Sequence, residues 1–262
     1  MLNNLYKLQM SNKLTAFNFI FFSFRKFISD YKIFLKVALI PFVLTFIAYI
    51  LVDYIGLFIS NTFDKGPNIL FKNFALYIIL YNIFLTPLFS AFASNWHRYI
   101  IFEGKKPWAL KKIDFSNYTF KFILAGFLLF ILLAVPYSLI ITLSFAYAAK
   151  FSSVFQLVGI QWIFLLIFIF FTIKLTLILP AAAAGHNFSI KRIYSLSSNF
   201  FWRIFIGELV FLIIFFSVYK IISYSVELIN PYVYLIIYLM ITFVSVAVFA
   251  TWLSKIYKEA TA

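Results

Sequence analysis

Two pairs of opposite charges could carry chemistry because they lie within long apolar stretches of the chain. Lys174 and Glu208 fall in the fourth and fifth of these stretches, and Asp53 and Lys220 fall in the first and fifth. Ionisable side chains are costly inside a membrane and usually face a partner or water. Each pair could relay a proton or an ion, or anchor an anionic solute. Each could equally be a structural ion pair, or two charges that reach towards the interface.

Other residue patterns argue against catalysis. His97 and His186 have no second histidine or carboxylate three or four residues away, which a helical metal site would need. The run that begins at Gly104 lacks the Gly-Lys-Ser/Thr ending of a phosphate-binding loop, and no Gly-x-Ser-x-Gly motif occurs. The chain has no cysteine and only eight acidic residues. We therefore expect no enzymatic activity, no metal site and no cofactor.

The composition places these residues in a membrane protein. Of 262 residues, 65% are hydrophobic and 11% are charged, whereas soluble domains have about 25% charged and about 45–50% apolar residues. So few charges could not cover the surface of a soluble protein. The composition excludes a soluble enzyme, a disordered protein and a soluble nucleic-acid-binding protein.

Six apolar stretches are long enough to cross a membrane, since a spanning helix needs roughly 20 mostly apolar residues. Backbone groups in lipid must be hydrogen-bonded internally, which favours helices. The sequence therefore predicts an all-α integral membrane protein in which residues 36–262 form a six-span helical bundle. The predicted spans are Lys36–Ile59, Phe74–Trp96, Phe120–Ser144, Val154–Ile178, Phe205–Glu227 and Pro231–Leu253.

The distribution of positive charge predicts the orientation. Seventeen lysines and arginines flank the spans on the side of the two termini, and four lie on the other side. Because cytoplasmic flanks are enriched in Lys and Arg, we expect both termini in the cytoplasm. Four of the five tryptophans fall at the same edge, as expected for an interfacial belt: Trp96, Trp108, Trp202 and Trp252.

Residues 1–35 are predicted to form a separate amphipathic segment that lies in the plane of the membrane. Its polar positions recur at steps of three and four residues, interrupted only at Phe22, opposite a row of apolar residues that begins at Phe17 and ends at Phe34. Those polar positions are Asn18, Arg25, Ser29, Lys32 and Lys36. The residues expected to contact anionic lipid headgroups are Arg25, Lys26, Lys32, Trp96, Arg98 and Trp202.

Three short motifs occur in a recognisable order. They are Trp96-His97-Arg98 followed by Glu103-Gly104, then the run 179–185 (Leu-Pro-Ala-Ala-Ala-Ala-Gly), then the run 199–203 (Asn-Phe-Phe-Trp-Arg). With an interfacial helix and six spans, this order resembles uncharacterised multi-pass inner-membrane proteins of alphaproteobacteria, which are similar to the membrane domain of some glycerophosphodiester phosphodiesterases. The resemblance implies a bacterial inner membrane. The soluble catalytic domain of those enzymes has no counterpart here, so their activity is not implied.

Two functions remain open from the sequence. The first is a non-enzymatic inner-membrane protein that acts as a scaffold, or associates with lipids or another membrane protein, through its aromatic and basic cytoplasmic surface. The second is a transporter of a small solute or an ion, built around Lys174, Glu208 and helices kinked by proline. The expected partners are the bilayer and its anionic headgroups, with another membrane protein as a further candidate, and nucleic acid is not expected.

Overall fold

The computed structural model describes residues 16–63, 69–104, 117–129, 131, 170, 173–186, 189–224 and 230–262. Within these ranges the chain forms seven helices and no strand, which confirms the predicted all-α class. The helices are α1 (Ala16–Ser29), α2 (Tyr31–Phe63), α3 (Ile69–Ile101), α4 (Asn117–Leu129), α5 (Ile178–Ala183), α6 (Ile190–Tyr224) and α7 (Pro231–Thr261).

Three of these helices are long and apolar enough to cross a membrane. They contain the segments Tyr31–Ile55, Ile190–Ser223 and Tyr232–Thr261, which overlap the first, fifth and sixth predicted spans. The second predicted span lies within α3, whereas most of the third and fourth lie outside the described residues. Membrane-crossing helices are therefore confirmed by length and composition, and the number six stays a prediction.

Helix α7 lies at the centre of the described bundle. One side of it packs through Phe243, Ala247 and Ala250 against α2 and α3. The other side packs through Trp252 and Ile256 against α1, α5 and α6. Lipid tails are as apolar as leucine, so membrane helices associate through close packing at small residues rather than through burial from water. The alanines of α7 provide such close contact with α3.

The end of the fourth apolar run is not a regular helix. Residues 174–177 form a turn, and the short helix α5 follows at Ile178. Pro180 has no N–H group for the carbonyl of Thr176, which accepts a hydrogen bond from the Leu179 N–H instead (3.2 Å). The predicted span Val154–Ile178 therefore does not continue as a regular helix to Ile178, and Lys174 belongs to the turn.

The N-terminal segment differs from the predicted amphipathic unit in its end and in its buried face. Helix α1 ends at Ser29, and α2, which contains a candidate membrane span, already begins at Tyr31. The buried face of α1 consists of Ala16, Phe19, Ile20 and Ser23, whereas Phe17, expected on the apolar side, is 57% exposed. The buried face differs from the predicted apolar side because α1 packs against α6 and α7. These neighbouring helices determine which side of α1 is buried.

Candidate functional site

One end of the bundle collects most of the described positive charge, and we call it the basic end. It comprises α1, the last turns of α3, α5, the first turns of α6 and the last turns of α7, which contact one another. Its described cationic residues are Arg25, Lys26, Arg98, Lys191, Arg192, Arg203, Lys255 and Lys258.

The first motif, Trp96-His97-Arg98, is buried at the basic end. The Trp96 indole N–H donates to the Ala247 carbonyl oxygen (2.8 Å) and lies 2.9 Å from Thr251 Oγ1. His97 Nδ1 lies 2.7 Å from Ser254 Oγ. Residues Ala247 and Thr251 are four apart on α7 and therefore share one face of that helix. This face supplies the polar partners that buried indole and imidazole groups need.

The prediction that Trp96 and Arg98 contact lipid headgroups is wrong. Trp96 is 0% exposed and Arg98 is 1% exposed. Trp252, which was expected in the same interfacial belt, is also 0% exposed. The physical reason is that a neighbouring helix covers each of them: α7 covers Trp96, Tyr118 of α4 lies against Arg98, and α6 lies against Trp252 at Gly207.

The second motif meets the first through Tyr118. The Arg98 guanidinium carbon lies 4.6 Å from the centre of the Tyr118 ring, which is a cation–π contact. Gly185 lies against the same ring with φ +80°, and a Cβ built at this glycine would be 2.1 Å from Tyr118 Cε1. Only glycine fits there, because both the positive φ and the close ring exclude a side chain.

A Schellman motif at the end of α5 positions His186. The Gly185 N–H donates to the Ala182 carbonyl oxygen (3.0 Å), and the His186 N–H donates to that of Ala181 (3.2 Å). The imidazole Nδ1 of His186 then lies 2.7 Å from the Tyr257 hydroxyl of α7. The backbone of the second motif thus holds the histidine against α7.

His186 and Tyr257 line a cavity of about 430 Å³ together with Arg192 in the first turn of α6. A guanidinium in the first turn of a helix, where the helix dipole also favours negative charge, attracts an anionic group such as a phosphate. Sequence reasoning did not combine these residues. The pattern Gly185-His186 followed by Lys191-Arg192 at a helix start could have indicated them.

Lys26, a predicted headgroup contact, forms an ion pair within the protein. Its Nζ lies 2.8 Å from Asp30 Oδ2, and the same oxygen accepts a hydrogen bond from the Tyr99 hydroxyl (2.7 Å). Partial burial would raise the pKa of the Asp30 carboxyl, but the hydrogen bonds from Lys26 and Tyr99 outweigh burial and lower this pKa. This contact fastens the junction of α1 and α2 to α3.

The remaining predicted headgroup contacts lie on the surface. Arg25 and Lys32 are exposed, and Trp202 is 69% exposed. On α1, Phe21 and Ile28 are 72% and 66% exposed. Because Phe21, Arg25 and Ile28 are four and three residues apart, these aromatic, cationic and aliphatic side chains share one accessible face, which we call the outward face of α1.

Lys174 and Glu208 do not form the expected ion pair. The Lys174 ammonium donates to the Tyr194 hydroxyl (3.0 Å) and lies over the rings of Tyr194 and Phe201. Glu208 instead lies beside the hydroxyl of Thr176. Because Phe201 precedes Glu208 by seven residues, they are about 10 Å apart along α6. The turn at 174–177 directs the lysine towards the earlier residues.

Asp53 and Lys220 are also not paired with each other. They line two neighbouring cavities that share Tyr234 and Tyr238 as a common wall. The Lys220 ammonium lies 5.7 Å from the centre of the Phe216 ring. The tyrosines of α7 thus separate the two charges, which the assignment to spans could not show.

In the described part of the chain, no three histidine, cysteine or carboxylate side chains lie close enough together to hold a metal ion. The resemblance to alphaproteobacterial inner-membrane proteins stays a prediction. No family model, curated protein or solved structure matches the chain.

Proposed function

We propose that the chain is a non-enzymatic, multi-pass protein of a bacterial inner membrane, whose basic end binds anionic lipid headgroups on the cytoplasmic side. The observation that carries this proposal is the outward face of α1, where Phe21 and Ile28 are exposed on the same side as Arg25, and the exposed Lys32 follows at the start of α2. Helices at a membrane interface combine such apolar and basic side chains. Each lysine or arginine near an anionic surface contributes about 1 kcal/mol of attraction.

Packing within the protein supports this orientation of α1. The guanidinium carbon of Arg203 in α6 lies 5.6 Å from the centre of the Phe19 ring. The Nζ atom of Lys255 in α7 lies 5.3 Å from the centre of the Phe22 ring. These cation–π contacts dock α1 onto two helices that are long enough to span the membrane. The helix therefore needs no lipid to present its outward face.

The excess of positive charge supports the cytoplasmic placement. Seventeen lysines and arginines flank the predicted spans on the side of the two termini, and four flank them on the other side. The side of a membrane protein with the excess of lysine and arginine usually faces the cytoplasm. The cavity at His186 and Arg192 adds a defined place for one phosphate group at the same end. Transport of a small solute and a scaffold for another protein stay predictions.

The first test measures contact between α1 and lipid. The chain contains no cysteine, so Phe21→Cys labelled with bimane gives one probe on the outward face. We expect brominated phosphatidylglycerol in nanodiscs to quench this probe more strongly than brominated phosphatidylcholine, because Arg25 and Lys32 attract the anionic headgroup. The double charge reversal Arg25→Glu/Lys32→Glu should abolish the preference.

Lys220→Glu is the control for this test, since it reverses a charge far from α1 and should leave the preference unchanged. Equal quenching by the two lipids in the otherwise unchanged protein would contradict the proposal. A preference that survives the double reversal would contradict it as well.

The second test concerns the cavity. Native mass spectrometry of the protein released from nanodiscs with equal phosphatidylglycerol and phosphatidylcholine should show retained phosphatidylglycerol. Arg192→Gln should reduce this retention several-fold, because Arg192 is the cationic residue among those that line the cavity. Lys191→Gln removes the same charge from an exposed neighbour outside the described cavity lining and should change retention little. Equal losses in the two variants would indicate a general effect of charge and contradict a defined site.

A further inference from the structure

A second cavity lies at the end of the bundle opposite to the basic end. An open cleft of about 590 Å³ lies there between helices α2 and α7. Its described lining is dominated by one carboxylate and five phenol rings: Asp53, Tyr49, Tyr54, Tyr232, Tyr234 and Tyr238. We call this cavity the tyrosine cleft.

The spacing of these residues explains why they converge. Tyr49 and Asp53 are four residues apart on α2, and Tyr234 and Tyr238 are four apart on α7, so each pair occupies one helix face. Helices α2 and α7 pack against each other. The start of α7 is defined by Asn230, whose side-chain oxygen accepts a hydrogen bond from the Tyr232 N–H (2.9 Å).

The chemistry of the tyrosine cleft selects a cation. The faces of phenol rings carry negative electrostatic potential, and Asp53 adds a full negative charge. No lysine, arginine or histidine is among the described residues that line the cleft. Lys220 lines the neighbouring cavity, on the other side of Tyr234 and Tyr238. Asp53 would therefore repel an anionic ligand, and none of these described side chains carries a positive charge to offset that repulsion.

The kind of cation follows from the number of oxygen ligands and the space. Calcium needs six to eight oxygen ligands at short distances, and one carboxylate with phenol groups does not provide them. Rings around a roomy cavity suit a bulky ammonium group, which binds aromatic faces without coordination bonds. We propose that the tyrosine cleft binds an organic ammonium group, either on a choline lipid headgroup or on a free amine.

The position of the cleft supports a lipid headgroup as one source. Tyr54 lies near the end of the candidate span Tyr31–Ile55, and Tyr232 begins the candidate span Tyr232–Thr261. The ends of spans lie at the level of the headgroups. This proposal depends on residues remote from α1 and Arg192, so it can succeed or fail independently of headgroup binding at the basic end.

The direct test is calorimetric titration of tetramethylammonium into the protein in nanodiscs of phosphatidylglycerol, which lacks an ammonium group. We expect saturable binding that Asp53→Asn weakens at least tenfold. Lys220→Gln should leave the affinity unchanged, because this residue lines the neighbouring cavity. Tyr232 is 61% exposed, so its replacement should not disturb the core; Tyr232→Leu should weaken binding, while Tyr232→Phe keeps the ring face and should preserve it.

A second arm distinguishes the two sources of the ammonium group. The protein released from nanodiscs with equal phosphatidylcholine and phosphatidylglycerol should carry bound phosphatidylcholine. The Asp53→Asn variant released in the same way should not. Binding of tetramethylammonium without retention of phosphatidylcholine would assign the cleft to a free amine. Absence of both, or equal binding by Asp53→Asn with an unchanged unfolding transition, would overturn the proposal.

Discussion

Replacement of Gly207 by alanine is expected to lower the free energy of unfolding by about 1–3 kcal/mol or more, the usual range for overpacking in a core. Gly207 lies in α6 where the Trp252 ring of α7 crosses it. A Cβ built at this position would lie 2.1 Å from Cζ2 of that ring. The ring is 0% exposed, so it cannot move without displacing its neighbours.

Unfolding in mixed micelles at increasing dodecyl sulfate concentration measures this effect, and Gly126→Ala provides the matched control. Gly126 also lies inside a helix, α4, but a Cβ there would meet nothing described within 4 Å. Alanine favours a helix over glycine by about 1 kcal/mol, so this control should be neutral or stabilising. Equal stability of the two variants would show that α6 and α7 do not approach closely at Gly207.

Replacement of Trp96 by alanine should cost about 3–5 kcal/mol, as is typical for a buried tryptophan. Its ring packs edge-on against Phe34 (5.9 Å between centres) and lies 5.3 Å from the Tyr99 ring. Its N–H group bonds to α7. Removing it leaves a cavity where α2, α3 and α7 meet.

Trp202→Ala is the control for Trp96→Ala, because Trp202 is 69% exposed. Substitutions on such a surface usually change stability by no more than about 0.5 kcal/mol. The same dodecyl sulfate titration should therefore separate the two variants by several kcal/mol. A large loss of stability for Trp202→Ala, or none for Trp96→Ala, would reverse the assignment of these residues to surface and core.

The three motifs that suggested a resemblance have a common structural role at the basic end. Arg98 of the first motif and Gly185 of the second lie on Tyr118. Arg203 of the third lies over Phe19 of α1. Since these residues fasten α1, α3, α4 and α6 around α7, the motifs hold together the end that we propose to bind lipid.

Part of the proposed lipid-binding surface could be predicted from the sequence. The sequence places three residues at the membrane interface that the structure leaves exposed: Arg25, Lys32 and Trp202. This was predictable because the position of a charged or aromatic residue relative to the end of a span is a property of the local sequence. The cavity at His186 and Arg192 could not be assigned in this way, because it forms only where the end of α5 meets α6 and α7.

The sequence by itself determined that this chain forms helices long and apolar enough for a membrane, because length and hydropathy are properties of contiguous residues. It could not determine which side of each helix faces protein, since lipid and protein interior are equally apolar. Trp96 and Trp202 are the same residue type at the same predicted edge, and only the position of α7 buries the first. Likewise, the turn at 174–177 keeps Lys174 apart from Glu208, and the tyrosines of α7 keep Asp53 apart from Lys220. The sequence could not show this, because ion pairing depends on the direction of the side chains and not only on their depth in the membrane.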